Sequence, residues 1–237
     1  SHPELASTQT SLALLLQAAG RPDEANRHME AALAMRRKVY GPEHYQVAQL
    51  LVVQCHLLRE SGNVEEAIAQ GDSAVKALRK HYQKHSAVAE GLDAMGVACA
   101  QLNNEQRNDD AERYLSEAME LRKELLGAEH PLYAFSTDHL ASLLSVRKHQ
   151  LPRALELHRS AVECLRRVLG EHSELAVALY NQAVALAQSG DWATATANLR
   201  HAVQILEKAA HWLLDSCKAR LKRAERREPF WLPGSDP

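Results

Sequence analysis

Residues 126–134 read LGAEHPLYA and residues 40–48 read YGPEHYQVA. Two stretches so alike in one chain invite a search for a repeat, since a period of about 20–50 residues decides the whole architecture. The histidine of this motif recurs as His2, His44, His85, His130 and His172, at separations of 42, 41, 45 and 42 residues. Four residues after each stands an alanine: Ala6, Ala48, Ala89, Ala134 and Ala176. Eleven after each is a small residue (Ala13, Cys55, Gly96, Ala141, Ala183), and three further on Leu16, Leu58, Cys99, Leu144 or Leu186. These offsets share one face of a helix. Later in every unit two alanines stand seven apart, as Ala25/Ala32, Ala67/Ala74, Ala111/Ala118, Ala154/Ala161 and Ala195/Ala202. Seven residues is close to two helical turns, so each pair marks a stripe on a second helix.

Gly20, Gly62 and Gly190 fall 18 residues after their histidines, where a glycine ends the first helix. In the third unit Asn103 takes that place and the loop LNNEQRNDD is three residues longer, and in the fourth Lys148 does and VRKHQLPRA is one longer. The opening motif is then the joint between units. Gly41, Gly127 and Gly170 stop the second helix, and Pro3, Ser86, Pro131 or Ser173 starts the next one. The joint histidine is expected to cap or to pack between units. One histidine per unit, about 10 Å from the next at helix packing distances, is too far from its neighbours to share a metal. His81 and His85 are four apart but have no acidic or cysteine companion at ligand spacing, so no metal or cofactor site is expected.

Composition agrees with helices alone. The chain has 237 residues, 46% of them apolar but only 5% aromatic, which favours an all-α fold with a sizeable core. A formal charge of −2 gives no global attraction to nucleic acid or anionic membrane. Cys55, Cys99, Cys164 and Cys217 lie far apart, which suggests neither disulfides nor a zinc site and fits a reducing, cytoplasmic compartment. No apolar run reaches the roughly 20 residues of a membrane span, and SHPELAST does not read as a signal peptide.

This grammar resembles the tetratricopeptide repeat, in the roughly 42-residue variety of kinesin light chains, over nearly residues 1–210. The resemblance implies a right-handed α-solenoid of five helix-turn-helix repeats plus a C-terminal capping helix. Its units are 1–43, 44–84, 85–129, 130–171 and 172–209, followed by a capping helix at 210–228 and a flexible tail at 229–237. It also implies that the first helices line a concave groove for peptides. Counted from each histidine, that groove is expected to present Val52, Val53, His56 and Arg59; Asp93 and Val97; Asp138, His139, Ser142 and Ser145; and Tyr180, Asn181, Val184 and Ala187. Of the Asn pair usual in kinesin light chains only Asn181 is present, so that family's cargo specificity does not carry over. The set also lacks the Lys/Asn/Lys/Arg clamp for a C-terminal carboxylate, which favours an internal peptide segment or a partner's helix.

The pairs Arg36/Arg37, Arg79/Lys80, Arg122/Lys123 and Arg166/Arg167 close the second helices, where cations suit the helix dipole. Beyond residue 210 the repeat grammar is expected to stop, leaving HWLLDSCKARLKRAERR as an amphipathic cap over the last repeat. Its basic residues make nucleic acid a third-ranked partner. In the tail, Phe230, Trp231 and Leu232 form an aromatic cluster expected to seek a surface, its own groove included. No nucleotide, hydrolase or metalloprotease motif occurs, and Asp109/Asp110 is expected in the solvated inserted loop, so no catalysis is expected. Because the chain opens at a repeat joint without Met, a longer parent protein is expected. The leading functional expectation is a non-catalytic adaptor that binds protein or peptide partners, and the alternative is a scaffold that self-associates or binds through its convex face or tail.

Overall fold

The computed structural model describes residues 3–102, 104–209 and 211–229. Among these, helices α1 (Pro3–Ala18), α2 (Pro22–Tyr40), α3 (Tyr45–Glu60), α4 (Val64–His81), α5 (Ser86–Gln101) and α6 (Glu105–Leu126) are followed by α7 (Pro131–Ser145), α8 (Leu151–Leu169), α9 (Ser173–Gln188), α10 (Trp192–Ala209) and α11 (Leu214–Glu225). No strand occurs among the described residues. The helices form two compact units, residues 1–125 and 126–237.

In the first unit α1 pairs with α2 and α3 with α4, while α2 packs on α3 and α4 on α5. The small residues permit close approach between helices. A Cβ on Gly96 of α5 would lie 2.6 Å from Leu115 Cγ and 3.2 Å from the Leu115 backbone nitrogen on α6. Large side chains fill the spaces between: Met29, Leu57, Leu78, Leu92, Met95 and Leu115 are fully buried. In the second unit α7 pairs with α8, α9 with α10, and α11 lies on α10. Leu165, Leu175 and Leu179 anchor its core.

The joint histidines are helix caps. Each lends its Nδ1 lone pair to the backbone N–H two residues on, at 3.2 Å for His44 to Gln46, 3.1 Å for His85 to Ala87, 3.1 Å for His130 to Leu132 and 3.4 Å for His172 to Glu174. That satisfies one of the orphan donors at a helix start and places the ring proton on Nε2. His2 lies outside the described residues. Between the paired helices Gly62 (φ +85°), and at the joint Gly41 (φ +85°), adopt the left-handed conformation that glycine tolerates without strain.

Beyond residue 210, His211 Nδ1 accepts from the Leu213 N–H at 3.2 Å, and α11 lies on α10 with Cys217 and Ala224 buried, as a capping helix should. Two expectations are corrected. The three extra residues of the third unit do not lengthen a loop, because α6 begins at Glu105 and spans 22 residues against 18 in α4. Asn104 Oδ1 accepts from the Arg107 N–H at 2.9 Å, which starts that helix early. Asp109 and Asp110 are therefore helical, and Asp110 pairs with Arg113 at 2.9 Å. Asn103, expected at the turn, lies outside the described residues.

Candidate interaction surface on the first helices

The residues expected on the groove divide by depth. In the first unit Val53, His56, Arg59 and Val97 are half-buried along α3 and α5, while Val52 and Asp93 are buried. In the second unit His139, Ser142, Tyr180, Asn181 and Val184 are half-buried on α7 and α9, while Asp138, Ser145 and Ala187 are buried.

What holds the buried acids is electrostatic. Asp93 and Asp138 occupy the same place, eight residues after His85 and His130, and each meets a cationic or hydrogen-bonding group on the second helix of its own pair. Asp93 Oδ2 lies 3.5 Å from Arg122 Nη1, and both side chains are buried. Arg122 therefore does more than sit at a helix C-terminus, the role expected for its basic pair. Asp138 Oδ1 lies 2.7 Å from His158 Nδ1, and its Oδ2 accepts from Asn181 Nδ2 at 2.7 Å. One carboxylate thus ties α7, α8 and α9 together. His158 is fully buried and its Nε2 has no hydrogen-bond partner, so the pair is closed to solvent rather than poised as a base.

The chemistry of Asn181 follows from that tie. A carboxylate only accepts, so the Asn181 amide nitrogen faces Asp138 and the carbonyl oxygen is left as the group it can offer elsewhere. On the same helix the Arg220 guanidinium of α11 stacks over the Tyr180 ring, 4.6 Å from its centroid. Ser145 Oγ donates to the Ala141 carbonyl at 2.9 Å and is spent within α7. Phe230, Trp231 and Leu232 lie outside the described residues.

His158, Arg122 and His211 were not singled out by sequence reasoning as partners. His158 carried a signal, since it stands where other second helices have Met29, Gly71, Leu115 and Leu199, a polar ring in an apolar stripe. The first unit carries clefts of about 530 and 640 Å³: on the rim of the smaller Arg79 pairs with Glu117 and Lys84 with Glu124, and on the rim of the larger Lys80 pairs with Glu43 at 2.7 Å. The thiols are buried and unreactive in character: desolvation pushes Cys55 up to about 12 and Cys217 up to about 11. No helix among the described residues is long and apolar enough to cross a membrane.

Comparison with known proteins places this geometry. The tetratricopeptide repeat profile matches residues 4–80, 99–163 and 136–208. No curated protein sequence matches the chain. Among solved structures it is similar to the nearly identical TPR-like repeats of a Podosopora anserina kinesin light chain, with 23% identity, 88% of this chain and 98% of that chain covered, and a TM-score of 0.67. It is also similar to a Rap protein complexed with competence and sporulation factor, with 15% identity, 94% and 71% covered, and a TM-score of 0.66. A thermophilic TPR protein of Thermus thermophilus matches at 18% identity, with 93% and 99% covered and a TM-score of 0.63. At these identities the likenesses speak for the fold, and the profile, which spans most of the chain, speaks for kinship: the chain belongs to the tetratricopeptide repeat family, a family of protein–protein interaction modules.

Proposed function

We propose that the chain is a non-catalytic adaptor that holds a peptide segment or a partner's helix against its first helices, within a cytoplasmic assembly. The observation that carries this reading is the run of half-buried apolar and polar side chains on those helices: Val53, His56 and Val97 in one unit, and His139, Ser142, Asn181 and Val184 in the other. Apolar groups of this kind supply contact area, and Asn181 supplies a fixed acceptor for a backbone N–H. The Rap protein, similar in fold, is complexed with competence and sporulation factor, which agrees with a binding role.

The test compares partners captured by the intact chain with those captured by Val184→Glu and Val53→Glu, and by Val168→Glu, whose side chain is exposed at the end of a second helix. Loss of a partner from either of the first two variants, with retention by the third and equal helicity in all, supports the adaptor. Retention by the first two and loss from Val168→Glu moves the working surface to the second helices and favours a scaffold. Asp138→Ala is unsuited to this test, because it opens a buried tie as well as changing the surface.

A further inference from the structure

The chain reverses direction where α11 ends. Among the described residues Arg227 is the one non-glycine with a positive φ, at +57°. Its N–H donates to the Ala224 carbonyl at 3.0 Å, and the Glu228 N–H donates to the Arg223 carbonyl at 2.9 Å, the paired bonds that close a helix on a left-handed residue. Glycine is usual at that place, because a Cβ is disfavoured there. The Arg223 guanidinium then donates to the Pro229 carbonyl. By Pro229 the backbone has therefore come back alongside the helix it has just left.

The side to which it returns continues the surface proposed above. Arg220 and Arg223 stand nine and twelve residues after His211, as Asn181 and Val184 stand after His172, and all four are half-buried. Arg220 lies over the Tyr180 ring, 4.6 Å from its centroid. Arg223, Arg220 and Tyr180 thus form a run that leads from Pro229 to α9. Guanidinium faces and a phenol ring are the groups on which aromatic side chains stack.

We propose that this run is the docking surface of the chain's own residues 230–232. These are Phe230, Trp231 and Leu232, three successive uncharged apolar side chains that directly follow the residue held by Arg223. Three extended residues reach about 10 Å, as far as about two turns of helix, which carries them from Arg223 past Arg220 to Tyr180. So short a tether gives the tail a high effective concentration at this surface, whereas a second copy would bear the full cost of association. A docked tail covers the Tyr180 end of the surface proposed for a partner. The contact is read on the chain alone, so its failure and that of the adaptor reading are distinguishable.

The experiment uses the full chain with Trp192→Phe and Trp212→Phe, which leaves Trp231 as the only indole. Acrylamide should quench Trp231 fluorescence several-fold less in the folded chain than in urea. Arg227→Pro, which cannot adopt a positive φ, should remove that protection without touching the surface, and Arg227→Gly, which keeps the turn, should preserve it. Tyr180→Ser should remove it at unchanged helicity, and Lys222→Ala, exposed on α11 off the run, should not. Quenching as strong in the folded chain as in urea overturns the proposal, as does protection that survives Arg227→Pro or Tyr180→Ser. Protection that disappears on dilution as a dimer dissociates also overturns it, and assigns the surface to a second copy.

Discussion

At the scale of single residues, the recurrent histidine is a structural device rather than a chemical one. At the four described joints its ring does what serine or aspartate does at other helix starts, accepting a backbone N–H through Nδ1. Replacing His130 by Ala should cost about 1 kcal/mol of stability in urea unfolding, whereas His130→Asn, which keeps an acceptor in reach, should recover most of it. Equal losses in both variants would mean that the ring acts by packing. The periodicity pointed to this role without distinguishing capping from packing, because spacing places a side chain but does not aim its lone pair.

At the scale of helices, the fold rests on close approach between paired and successive elements. Gly96 meets both the side chain and the backbone nitrogen of Leu115, so an added methyl group cannot be accommodated by rotating one flexible chain end. Gly96→Ala should therefore destabilise by about 1–3 kcal/mol despite alanine's better helix propensity, as read from the thermal midpoint. A neutral or stabilising result would show that α5 and α6 can part without loss. The small positions were legible in the sequence as a pattern. The inward turn of Asp93 and Asp138 was not, because their partners Arg122 and His158 sit 29 and 20 residues away on another helix. Local spacing therefore counted both acids as surface groups.

At the scale of the whole chain, all four cysteines stand in buried places. Cys55 and Cys217, held up to about 12 and 11 by desolvation, keep their protons in the folded chain well above the unfolded value of about 8.5. The folded state thus binds more protons than the unfolded one over that range, so their contribution is full below it and is lost as pH rises. The urea midpoint should fall between about pH 8 and about pH 10, and Cys55→Ala/Cys217→Ala should flatten that slope. A slope unchanged by the double substitution would assign it to other groups. By itself the sequence determined the helical class, the repeat type, the turn glycines and the joints, because these depend on periods and local backbone preferences that a linear pattern records. Only the tertiary structure decided which eight-after-histidine residues turn inward and how the inserted residues join α6. Burial, pairing and exposure are set by what packs opposite a residue, and that neighbour is chosen by the fold rather than by the residue's place in the chain.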